Sequence, residues 1–254
     1  MATPMADGLK LVAATVVTFC TILGLWIVLV DLYAVPAYVL PLPADIGNAL
    51  WRGWVGGTFW EHAWFTLQGA LGGFALGAVL GVIAGVVVAE VRIARLVFYP
   101  LVVLVQSMPT VAIAPLIVVY LGVGLPSKIA TVAVLCFFPV FVNVVAGVQA
   151  ADPRLVDLYR ASAASRLRIL LDVRLPGAAD ALFSALQVAL VLSFVGCVVS
   201  EFIASRAGLG HVIKTFATDL NVSVMFAAII SLAVIGAVLG LALARLHKRV
   251  VFWR

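Results

Sequence analysis

Residues 63–89 read AWFTLQGALGGFALGAVLGVIAGVVVA and contain no charged side chain. A helix climbs about 1.5 Å per residue, so about 20 apolar residues cross the hydrocarbon core of a bilayer. The stretch is long enough, and its reading is a membrane-spanning helix. Runs of the same kind follow at 96–121, 129–150, 178–200 and 222–244, and one precedes it at 11–30. The first run exceeds the 7–15 apolar residues typical of a secretory signal, roughly half its length. Val35-Pro36-Ala37 behind it is a poor cleavage site, so it too reads as a span. The expectation is an all-α polytopic membrane protein of about six transmembrane helices. Residues 1–62 supply the first helix and an external amphipathic connector, and 63–254 form a core of five helices.

Composition agrees. Hydrophobic residues make up 65% of the chain and charged ones 11%, with a mean hydropathy of +1.23. Soluble domains carry about 25% charged residues, so a surface this poor in charge must meet lipid. The 16 Lys and Arg against 11 Asp and Glu therefore point to orientation rather than to nucleic acid. With both termini inside, 12 basic residues fall on inner segments and four on outer ones, namely Arg52, Lys128, Arg206 and Lys214. That bias places both termini in the cytoplasm of a bacterial inner membrane. Trp51, Trp54, Trp60 and Trp64 fit an aromatic belt at the outer interface. Cys20, Cys136 and Cys197 lie in apolar runs without metal-ligand spacing and read as small core residues.

Within the spans several features exceed plain hydrophobicity. Gly69, Gly73, Gly77, Gly81 and Gly85 recur every four residues and leave a ridge without side chains. It serves close helix packing, or a surface on which helices repack. Pro100, Pro109 and Pro115 interrupt the 96–121 run, and Gln106, Ser107, Pro109 and Thr110 lie near its middle. Irregular polar backbone at that depth must be buried in protein or face a watery cavity. A filled proline kink and a wall of a substrate path are both open readings. Asn143, Gln187, Ser193 and Glu201 are further candidates for such a path, Glu201 at its external mouth or as an interfacial cap. No string of acids or histidines crosses the spans to relay protons.

Residues 151–177, ADPRLVDLYRASAASRLRILLDVRLPG, break the apolar pattern. Asp152-Pro153 is a good helix opening. Two short amphipathic helices on the cytoplasmic face follow from the spacing, either an interfacial pair or a dock for a cytoplasmic partner.

At this loop the chain resembles the permease subunits of ABC importers. Their motif runs Glu-Ala-Ala, three residues, Gly-Ala-Ser, a spacer, an apolar residue, any residue and Leu-Pro. Asp157-Leu158-Tyr159 and Ala163-Ala164-Ser165 stand at the two triplets, and Val173 with Leu175-Pro176 closes the motif. The first triplet and the glycine are altered. Segments 41–50, 127–130, 137–140, 150–155, 200–202 and 208–210 are similar to the sulfonate, taurine and nitrate branch. The resemblance implies the ABC importer permease fold and a transporter subunit rather than an enzyme. It implies a second permease copy, as a homodimer or heterodimer around one path. It also implies two cytoplasmic ATPase subunits carrying ATP and Mg, and a periplasmic or lipid-anchored solute-binding protein. The family's coupling helix carries over onto Asp157, Leu158, Tyr159, Arg160, Ala161, Ser162 and Ala163. The chain itself lacks a phosphate loop; Gly122–Lys128 comes nearest but has no glycine before the lysine. The implied solute is a small anion, with a vitamin or pyrimidine precursor as the alternative; a secondary transporter is the remaining alternative function.

Overall fold

The computed structural model of the protein describes residues 4–106, 108 and 110–252. Ser107 and Pro109 lie outside them, as do Trp253 and Arg254. The described residues form helices and turns, with no strand among them. Among the described residues, five helices are long and apolar enough to cross a membrane: Ala13–Leu32, Thr58–Glu90, Leu125–Gln149, Arg166–Ala204 and Val222–Val250.

The chain divides into two compact units. The first holds the described part of Met1–Phe59 and Val212–Ser231. It contains α1 (Pro4–Leu32) and α2 (Pro43–Val55), the latter opened by a proline at its start, where no backbone donor is needed. Trp26 packs on Phe226 with ring centroids 6.0 Å apart. Trp54 meets Phe59 edge-on at 6.1 Å and donates its indole N–H to Ser231 Oγ at 3.0 Å. Cys20 is exposed on α1, so the expectation of a core cysteine does not hold there.

The second unit, Trp60–His211 with Leu232–Arg254, carries most of α3 (Thr58–Glu90). The expected single span at 96–121 is instead divided. Helix α4 (Arg92–Gln106) contains Pro100, a 3-10 turn runs over Thr110–Ile113, and α5 (Ala114–Leu121) has Pro115 in its first turn. Prolines lack the donor and the space for a continuing helix, so this run is divided among shorter elements. The five long apolar helices and this divided segment together account for the six apolar runs.

Helix α6 (Leu125–Gln149) starts behind Gly122 and Gly124, whose φ values of 77° and 146° suit glycine. It is the most buried of the five long apolar helices. Then come α7 (Pro153–Ala161), α8 (Arg166–Ile169), a π-helical turn at Leu170–Arg174 and α9 (Leu175–Ala204). Helices α10 (Leu209–Thr218) and α11 (Val222–Val250) complete the chain. The core is built from small residues: Ala70 and Ala78 of α3, Val132, Cys136, Val140 and Val144 of α6, and Ala178, Ala185 and Ala189 of α9. Small side chains let backbones approach, which is how helices gain contact where lipid offers no hydrophobic drive. Cys136 Sγ donates to the Ala189 carbonyl across that contact at 3.2 Å.

Candidate functional site

The glycine ridge of α3 lies directly on α6. A Cβ at Gly77 would overlap the Ala133 carbonyl, and one at Gly73 would overlap Val132. Gly81 and Gly85 face the carbonyls of Phe137 and Phe141 at 2.9 and 3.1 Å from the same virtual position. Further along α6, Gly147 meets Ala178 and Ala181 of α9. Helices α3, α6 and α9 are thus fitted together along their length.

The two ends of this trio differ chemically. At one end Arg174 of the π-helical turn pairs with Glu90, the last residue of α3. Asp180 Oδ1 meets His247 Nε2 at 2.9 Å, and the His247 ring stacks on Phe183 at 4.6 Å. This joins the last turns of α11 to the start of α9. The loop at 151–177 belongs to this end.

Asp152 caps α7 by accepting from the Arg154 N–H at 2.9 Å. Ser165 caps α8 in the same way through the Arg168 N–H. Val156, Ile169 and Val173 form a small core of their own, with Tyr159 and Ala164 packed on it. Leu155 and Leu158 point outward, 47% and 60% exposed. The sequence leaves Tyr159 and Leu158 equivalent; the structure turns the tyrosine inward and the leucines out. Asp157 and Arg160 pair at 3.2 Å, both exposed. Ser162 ends the helix, its hydroxyl donating to the Leu158 carbonyl. Ala163 follows Ala161 and Ser162 with φ of +54°. That left-handed conformation explains why the motif it resembles has glycine here. A polar cleft of about 420 Å³ lies beside α7, lined by Glu90, Arg92, Arg95, Asp157, Arg160 and Arg174 among others.

At the other end lies a cluster that the sequence did not reveal. Lys128, counted as an external loop charge, sits in the first turn of α6 and is buried. Its Nζ donates to Glu201 Oε1 at 2.6 Å, with side-chain exposures of 2% and 0%. It also lies 3.6 Å from the centroid of the Phe65 ring. Thr66 Oγ1 donates to the same carboxylate oxygen at 2.8 Å. The Gly210 N–H donates to Glu201 Oε2 at 2.6 Å. The Leu209 N–H donates to Thr66 Oγ1 at 2.8 Å, and the Gly208 N–H to His62 Nδ1 at 3.1 Å. The sequence shows each of the two charges near a span end but not that they pair. They lie 73 positions apart, and no local pattern links them.

The expected path residues separate into two groups. Gln106 is exposed at the end of α4, and Gln187 is exposed on α9. Gln187 is the one polar side chain of an apolar groove of about 580 Å³, which includes Phe194, Val198, Leu232 and Gly236. Asn143 is half-buried and donates to the Pro139 carbonyl of its own helix at 2.8 Å. Ser193 and Glu201 are wholly buried, Ser193 bonded to the Leu190 carbonyl. Neither lines an open cavity of the single chain, because packing and the ion pair close over them.

A family model described as the binding-protein-dependent transport system inner membrane component matches residues 77–252. The chain belongs to that family. This permease is 33% identical to the riboflavin transport system permease protein RibX of Chloroflexus aurantiacus, over 93% of its own length and 88% of RibX. It is 28% identical to the putative aliphatic sulfonates transport permease protein SsuC of Bacillus subtilis, over 92% and 84% of the two chains. Among solved structures, the inward-facing MetNI methionine ABC transporter matches with a TM-score of 0.67 and 22% identity. That match covers 76% of this permease and 98% of the other chain and establishes the shared fold. The resemblance to ABC importer permeases read from 151–177 and its flanks is confirmed by these matches. The permease is a multi-pass membrane protein.

Proposed function

We propose that two copies of this permease form one translocation path, with two cytoplasmic ATPase subunits docked on α7 and an external binding protein delivering the solute. ATP and Mg belong to the ATPase chains. The observation that carries this reading is α7 itself. Its inner face is satisfied by its own small core, yet Leu155 and Leu158 remain turned outward on a loop beyond the spans. Two leucines on a polar, charged helix fit a groove of a protein partner. The excess of basic residues on the segments around it supports a cytoplasmic position and cytoplasmic termini. Gln106 and Gln187, exposed in the single chain, are the residues we assign to the path, with the neighbouring Ser107 and Pro109. Asn143, half-buried on α6, is assigned with them.

The cargo we infer is a small anion, a sulfonate, taurine or nitrate, on the strength of SsuC and the similar segments at 127–130 and 200–202. A vitamin or vitamin precursor is the second reading, and the higher identity to RibX favours it. Reconstituted vesicles containing the permease, its ATPase and its binding protein decide between them. Uptake of labelled taurine but not riboflavin supports the anion; the reverse result supports the vitamin. Purified permease that retains no ATPase subunit would count against the docking role of α7.

A further inference from the structure

The Lys128–Glu201 cluster has no part in the coupling loop or in the path assigned above. Stability alone does not account for it. A buried ion pair loses hydration on both partners, and an apolar pair of similar volume is often as stable or more so. What the pair supplies is a fixed geometry. Glu201 of α9 is filled from three other elements: Lys128 of α6, Thr66 of α3 and the Gly210 N–H of α10. The opening N–H groups of a helix have no partner within it. Here the N–H groups of residues 208, 209 and 210 each find an acceptor on α3 or α9. Space is cut to match. A Cβ on Gly69 would overlap Lys128, and one on Gly208 would overlap the Glu201 carboxylate. One on Gly210 would lie 2.7 Å from Glu201 Oε2. An apolar contact can slip along a helix, whereas this constellation has one register.

We propose that Lys128 and Glu201 are positioning residues that pin the opening of α10 onto α3, α6 and α9, so that a displacement entering at the 151–177 loop reaches α10 without slip. The second half of this statement rests on the permease reading. The trio is held at the loop end by Glu90 and Arg174, along its length by the glycine ridge, and at the far end by the buried pair.

The test uses the complete reconstituted transporter with three variants: Glu201→Gln, Lys128→Met, and Lys128→Met with Glu201→Leu. An amide in place of the carboxylate must turn its NH₂ toward either the Lys128 ammonium or the Gly210 N–H, and both are donors. Glu201→Gln is expected to raise hydrogen exchange at residues 208–210 roughly tenfold or more. Solute moved per ATP hydrolysed falls with it. Lys128→Met is expected to do the same, since it strands the carboxylate. The apolar pair is expected to unfold at the wild-type temperature yet to keep the fast exchange and the weak coupling. An apolar pair with wild-type exchange and coupling overturns the proposal. So does an exchange increase in Glu201→Gln spread evenly over α3, α6 and α9, which would mark a general loss of stability. Wild-type vesicles that move no solute speak against the permease reading instead, and the exchange measurement still decides the pinning of α10.

Discussion

At the scale of single residues, the glycines of α3 are not interchangeable with others in the chain. A methyl group at Gly77 points into the Ala133 carbonyl, whereas Gly240 of α11 has nothing within 4 Å. Backbone cannot rotate away as a side chain can, so Gly77→Ala forces α3 off α6. A loss of about 1–3 kcal/mol is expected from such overpacking, against little change for Gly240→Ala. Denaturation in mixed micelles measures both. Ala163 offers the opposite case. Its left-handed backbone costs about 1–2 kcal/mol for a residue with a Cβ. Ala163→Gly is therefore expected to hold or raise the melting temperature, and Ala163→Val to lower it, since β-branching adds crowding to the same turn. A glycine variant that melts lower than the wild type would mean that the turn is not strained.

Among elements, α7 shows where local sequence is sufficient and where it stops. Asp152-Pro153 marks the helix start because capping and proline are local chemistry. The choice of face is not local. Leu155, Val156, Leu158 and Tyr159 are all apolar, and only Ile169 and Val173, arriving later, decide that Val156 and Tyr159 turn inward. Replacing Leu155 and Leu158 by Asp is accordingly expected to release the ATPase while the permease still inserts, because an interface closing on an unpaired charge loses several kcal/mol. Tyr159→Ala acts differently, loosening the loop itself by about 1–2 kcal/mol through lost packing. Co-purification reads the first effect, and protease sensitivity of residues 151–177 the second. If the Asp pair leaves the ATPase bound, the outward leucines are not the contact. The broken segment of α4 and α5 was legible as an interruption from its prolines. That α4 ends at Gln106 and a 3-10 turn follows was not, since three prolines permit several break points.

For the molecule as a whole, the alternation of apolar runs and basic segments was readable because lipid imposes it on every span alike. The buried ion pair was not, because its members belong to different helices and each resembles an ordinary interfacial charge. Moving Lys128 from the outer count to the interior leaves 12 inner charges against three outer ones, so the bias on which the proposed orientation rests is kept. In a chain freed of its native cysteines, a cysteine replacing Arg249 is expected to react from the cytoplasmic side. One replacing Arg206 is expected to react from the other side, and one replacing Lys128 from neither. Labelling of positions 249 and 206 from the same side would overturn the crossing by α11, and labelling of positions 10 and 249 from opposite sides would overturn the even number of crossings.

The same pair constrains how the chain is made. When α6 enters the membrane, α9 is not yet synthesised, and Lys128 has no counter-ion. Its place in the first turn of α6 lets the ammonium reach back to the water interface on its flexible stem. It can leave that refuge for the slot above Gly69 only once Glu201 has emerged. Final closure of the core therefore waits for the last third of translation. A nascent chain halted between α6 and the end of α9 should hold its helices in the membrane with Lys128 still open to aqueous reagents.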